Sequence, residues 1–143
     1  ALKNISIGLA SSHGKEMIHG AGDPKLLWDA DHDSFLESMA EADESIMTWW
    51  KGRIAFVNVM ANMSVDCDCC AVAEDPCMKD VGILASLDPI AIDQACIDLV
   101  YAATDDPGQK HFLERVESRH GIHTIEAAAD LGFGSRAYEL IEL

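Results

Sequence analysis

From residue 81 to residue 103 the chain runs through an apolar segment, Val81-Gly82-Ile83-Leu84-Ala85, then Asp88-Pro89, then a stretch apolar on almost every side. Asp followed by Pro is a helix start. The carboxylate caps free backbone N–H groups, and proline takes the first helical position, where it sacrifices no hydrogen bond. A helix apolar on most sides must be deeply packed. Residues 81–85 are too short for a packed helix and read as a buried strand. A buried strand feeding a buried helix demands a layered domain.

Neighbouring segments extend the pattern. Residues 54–60 are β-branched, aromatic and nearly all apolar, which suits a central strand buried on both faces. Residues 4–10 read as a short strand, and residues 11–24, rich in Gly, Ser and His, as a loop carrying His13 and His19. Ser34 with Glu37 has the form of a capping box. Phe35, Met39, Ala42, Ile46 and Trp50 then recur at helical spacing, predicting a helix over 34–50. Asp106-Pro107 repeats the helix start signal. A further helix over 124–131 stops at Gly132, and the tail 136–143 fits either a helix or a strand. Strands alternating with helices predict an α/β fold: one domain over residues 1–143, with a layered sheet, mixed or mostly parallel, and helices packed on it.

With 143 residues, the chain is long enough for a core that needs no disulfide staples. Its formal net charge of −15 argues against nucleic acid and anionic membranes as partners, since both call for a basic face. No apolar run approaches the roughly 18 residues of a membrane span. Five cysteines, without a secretory pattern, predict a cytoplasmic setting with reduced thiols.

Three of those cysteines lie in Asp66-Cys67-Asp68-Cys69-Cys70. Cys67 and Cys69 can direct both sulfurs at one ion, whereas the adjacent Cys69 and Cys70 would be strained in doing so. Zinc needs about four N or S ligands. His19, then His13, are the candidates for the remainder, with Cys70 in reserve and Cys77 weaker. A bare nucleophilic thiol needs nearby positive charge, and the sequence neighbours Asp66, Asp68, Glu74 and Asp75 supply the opposite. The charge pattern therefore favours a divalent metal, zinc before iron. The alternatives are reduced thiols with no metal, or a thiol-redox pair at Cys69 and Cys70.

Asp88 is accounted for by capping. Asp93, inside an apolar helix, must be paired or hydrogen-bonded and reads as a structural anchor. Gly132-Phe133-Gly134 lacks the third glycine and the lysine of a phosphate loop. His111, His120 and His123 read as surface residues, and Trp28, Trp49 and Trp50 as core or interface. No complete catalytic set commits the chain to a reaction.

The segments 66–70, 80–86 and 88–95, in that order and spacing, resemble the family of uncharacterised iron–sulfur center proteins. Leu2-Lys3-Asn4, Gly8-Leu9-Ala10-Ser11, Gly14-Lys15, His19 and Leu131-Gly132-Phe133-Gly134-Ser135-Arg136 follow the same pattern. The resemblance implies a domain of unknown function and ties the cysteine segment to His19. It also implies a ferredoxin-type or other electron-transfer partner. It makes this chain the C-terminal part of a larger family domain, without the ferredoxin insert such proteins carry, and no ferredoxin-type cluster motif stands in the sequence. Two readings result. One is a metal-binding, redox-linked domain using Cys67, Cys69 and His19. The other is a non-catalytic acidic interaction module with a structural metal or none.

Overall fold

The Asp88 carboxylate sits where the sequence places it. Its Oδ1 accepts the backbone N–H groups of Ile90 (2.8 Å) and Ala91 (3.1 Å), and its Oδ2 accepts that of Ser135 (2.8 Å). In this computed structural model, which describes residues 1–50, 52–67 and 70–143, the helix it caps is α3, Pro89–Ala102. Ile90, Ile92, Ala95 and Val100 of α3 are buried, as its all-round apolar pattern requires.

The elements before α3 are a π-helical turn, Asn4–Gly8, then α1, Ser12–His19, a 3-10 turn, Pro24–Leu26, and α2, His32–Trp50. Strands β1, Phe56–Met60, and β2, Gly82–Ser86, follow α2, while α4, Gln109–Ser118, and α5, His123–Leu131, follow α3. The α/β class holds. The expected parallel or mixed sheet is corrected: β1 and β2 pair antiparallel as a two-stranded sheet, with Phe56 opposite Ser86 and Met60 opposite Gly82.

Only one face of this sheet is covered. Phe56 and Leu84 pack with Ile92 and Cys96 of α3. Val57, Val59 and Ile83 point the other way and are 62%, 63% and 71% exposed. The expectation of strands buried on both faces fails because no second layer of helices lies across the sheet among the described residues. Leu2, Ala40, Ile90, Ile125 and Ala128 form the centre of the fold, where α2, α3 and α5 meet. His123 of α5 meets Glu37 of α2 (3.1 Å), and His120, in the turn before α5, meets Asp33 (2.8 Å).

The N-terminal expectations are corrected too. Residues 4–10 form no strand. Ile5, Ile7 and Leu9 alternate like one, but burial follows Leu2, Ile5 and Ser6, the spacing of a helical face, and Leu9 is 61% exposed. Residues 11–24 are not all loop, because Ser11 Oγ accepts the Gly14 N–H (3.1 Å) and starts α1. The cap of α2 is Asp31, not Ser34: Asp31 Oδ2 accepts both the N–H and the hydroxyl of Ser34, each at 3.1 Å. The tail after residue 135 is neither helix nor strand. Among the described residues, no helix is long and apolar enough to cross a membrane.

Candidate functional site

The cysteine segment belongs to the long connection, residues 61–81, between β1 and β2, and side chains pin that connection at several points. Asp66 Oδ2 accepts the Glu74 N–H (3.0 Å), and Asp66 Oδ1 takes Arg115 Nη1 of α4 (2.7 Å). These bonds, the Glu74 N–H first and the Arg115 guanidinium second, hold the Asp66 carboxyl below its ordinary value. Glu74 in turn meets His111 Nε2 at 2.8 Å. His111 and Arg115 stand one turn apart on α4 and so reach the same stretch of loop. Two of the acidic neighbours of the cysteines thus carry their own counter-charges.

Inside this frame the Cys70 N–H donates to the Cys67 carbonyl at 2.9 Å, closing a tight turn with one thiol at each end. Cys67 is half-buried and Cys70 exposed. Lys3 Nζ donates to Cys67 Sγ at 3.1 Å. Cys69, with its neighbour Asp68, lies outside the described residues.

His19 closes α1. Its Nδ1 is 2.7 Å from the Lys15 carbonyl, and its ring stacks on Phe35 at 5.0 Å and tilts against Trp28 at 5.3 Å. His13 is exposed on α1, 3.5 Å from Glu16 Oε2. The structure brings Cys67 and Cys70 into one turn. Among the described residues, no group of three or more His, Cys, Asp or Glu is arranged to hold a metal ion, so neither histidine joins those thiols in such a group.

The other two cysteines are held by packing. Cys77 lies against Met60, Met78 and Val100, and burial pushes its thiol up, with the charges of Asp106 and Glu74 adding to that. Cys96 faces Asn58, whose Nδ2 donates to its sulfur at 3.3 Å, and burial raises its thiol as well.

Asp93 is the anchor its place in an apolar helix required. Oδ1 accepts from the Ala1 amino group (2.6 Å) and Asn58 Nδ2 (2.7 Å), while Oδ2 accepts the Leu2 N–H (2.8 Å). Asp43 of α2 is different. It is fully buried, and among the described residues neither carboxylate oxygen has a hydrogen-bond partner. Burial, with the Asp93 charge adding to it, raises its carboxyl from 3.8 to about 8, and the Ser6 hydroxyl and the Ala1 amino group offset only part of this. The neutral form of the Asp43 carboxyl is thereby favoured.

Sequence reading missed the parts played by Lys3, Asp43 and Arg115. No local signal could mark Lys3, whose thiol partner is 64 positions away. The spacing of His111 and Arg115 was visible, but not what it faces. A family model described as a domain of unknown function, DUF362, matches residues 1–98. No curated protein and no solved structure matches the chain.

Proposed function

The chain belongs to the DUF362 family, and on that premise we propose that it is a soft-metal-binding module whose ion is held by the thiols of Cys67, Cys69 and Cys70. The observation that carries the reading is the turn from Cys67 to Cys70, closed by a 2.9 Å backbone bond. Two cysteines separated by two residues across one turn form the usual half of a tetrahedral thiolate site. The thiolate is the form that binds metal, and a neighbouring ammonium favours it. Lys3 supplies that ammonium at 3.1 Å from Cys67 Sγ, while Arg115 and His111 engage the Asp66 and Glu74 carboxylates. The charge objection to a thiolate, evident from sequence neighbours alone, is thereby weakened.

Sulfur ligands suit zinc before iron here. A bound ion would fix the conformation of the 61–81 connection and leave any fourth position to water or a histidine. His19, through Nε2, and His13 are the candidates for that position. A link to redox chemistry through a ferredoxin-type or other electron-transfer partner belongs to the proposal and rests on the sequence resemblance, not on the geometry.

Metal analysis of protein purified without a metal-affinity column tests the reading. We expect about one zinc or iron per chain, lost in the double variant Cys67→Ser/Cys70→Ser. Undiminished metal in that variant would sink the proposal. His19→Ala and His13→Ala, measured separately, decide whether either ring completes the site. A second reading, an acidic interaction module with no bound ion, is favoured by one observation, the exposed apolar sheet face of Val57, Val59 and Ile83. A chain that carries no metal in any preparation would leave that reading in place.

A further inference from the structure

We propose that Trp28 and the acidic loop around it form a docking surface for an arginine side chain presented by a basic partner protein. Trp28 stands in the connection between α1 and α2 and is 80% exposed. A tryptophan left in water forgoes the large apolar burial its ring offers, and tryptophan and arginine are the residues most enriched at the energetic centres of protein interfaces. Contacts hold the indole in place. It tilts at 60° against the His19 ring, 5.3 Å away, and His19 in turn stacks on Phe35 of α2 at 5.0 Å. The backbone around it is bonded at each step. The Gly22 N–H donates to the Met17 carbonyl (2.8 Å), the Leu26 N–H to the Asp23 carbonyl (2.9 Å), and the Asp29 and Ala30 N–H groups to the Leu26 carbonyl (2.9 Å each). A ring set in position before a partner arrives loses little freedom on binding.

Charge selects the occupant. Residues 23–33 carry Asp23, Asp29, Asp31 and Asp33 against one lysine, Lys25. Asp33 meets His120, but Asp23, Asp29 and Asp31 are exposed. The bonds from Ser34, its N–H first, hold the Asp31 carboxyl below its ordinary value. Trp49 and Trp50 are also open to water, but Lys51 and Arg53 follow them in sequence. Trp28 is thus the tryptophan set among aspartates. A guanidinium can lie flat on an indole and still direct N–H groups at a carboxylate beside it, which a compact ammonium does less well. The same aspartates disfavour a nucleobase stacked on the ring, because its phosphates would meet them. Of the residues considered for the ion, this surface shares His19 alone, as a packing ring.

Proton–nitrogen correlation spectra of the full chain, recorded at low salt while a peptide is added, test the proposal. The probe is acetyl-Gly-Ser-Arg-Gly-Arg-Ser-Gly-amide, with its lysine and citrulline counterparts as controls. Citrulline keeps the shape of arginine without the charge. The indole N–H signal of Trp28, identified by its loss in Trp28→Leu, should shift saturably, while those of Trp49 and Trp50 stay in place. The arginine peptide should bind about threefold more tightly than the lysine peptide, the scale of one exposed cation–π contact, and the citrulline peptide should not bind. Trp28→Leu, followed through the backbone amides of residues 20–31, should weaken the arginine peptide about threefold, and Asp29→Asn should weaken it as well. The proposal is overturned if Trp49 or Trp50 responds as strongly as Trp28, if citrulline replaces arginine without loss, or if Trp28→Leu leaves the affinity unchanged. It is also overturned if phosphatidylcholine vesicles, added in place of the peptide, shift the Trp28 signal as strongly, which would assign the ring to a lipid surface.

Discussion

Asp43→Asn is expected to stabilise the protein at pH 8 by on the order of 4–5 kcal/mol relative to the parent, and to change it little at pH 4. The Asp43 carboxyl is raised from 3.8 to about 8 in the folded chain, and each unit of difference is worth about 1.4 kcal/mol. A carboxyl raised on folding contributes most below its unfolded value, where it is neutral in both states. That contribution is lost progressively as pH climbs from about 4 towards 8, because the unfolded chain gives up the proton and the folded chain cannot. Asparagine is neutral throughout and removes the dependence. Urea unfolding of parent and variant at pH 4, 6 and 8 measures the difference directly. Parallel stability curves would show that Asp43 ionises normally and that its burial without partners is relieved in solution.

Gly108→Ala is expected to destabilise the protein by about 3 kcal/mol, the scale of a steric clash in packed surroundings. The backbone at Gly108 has φ −86° and ψ −14°, which any residue adopts, so conformational freedom is not what this glycine supplies. It supplies close approach: a Cβ would sit 1.7 Å from the Cys77 carbonyl oxygen and 2.5 Å from its carbon. Backbone cannot yield as a flexible side chain can. The 77–79 segment would move away, taking buried Met78 out of its cluster with Met60 and Val100. It would also break the bond from the Lys79 N–H to Asp106 Oδ2 (2.8 Å). Thermal unfolding of the variant checks this. An unchanged midpoint would mean that the connection and the start of α4 are not in contact in solution.

Where the chain announces a structure through local chemistry, the sequence was a good guide. The capping aspartate at 88 and the glycine stop at 132 each involve residues a few positions apart and stand where they were read, while the helix read over 34–50 begins at His32 with Asp31, not Ser34, as its cap. Readings that depended on distant partners went astray. Ile5, Ile7 and Leu9 alternate as a strand would, but among the described residues there is no neighbouring strand for them, and the helical set Leu2, Ile5 and Ser6 is the one that finds a core. The apolar run at 54–60 looks buried on both sides because the pattern cannot reveal that only α3 arrives to cover it. The thiol segment stands out in the sequence by its composition. Its partners, Lys3, His111 and Arg115, come from parts of the chain far away in sequence.

The half-covered strand pair also bears on association between copies. Among the described residues each strand has one neighbour, so each presents an outer edge of backbone donors and acceptors on which another strand could build. Beside those edges lie Val57, Val59 and Ile83, apolar and open to water. Nothing in the strand pair itself prevents two copies from joining edge to edge. The formal charge of −15 on every copy opposes it by mutual repulsion. That repulsion comes from residues remote from the strands. It weakens with added salt, which shortens the range of that repulsion, and with acidification towards the isoelectric point near 4.5, where the repulsion vanishes while the edges remain.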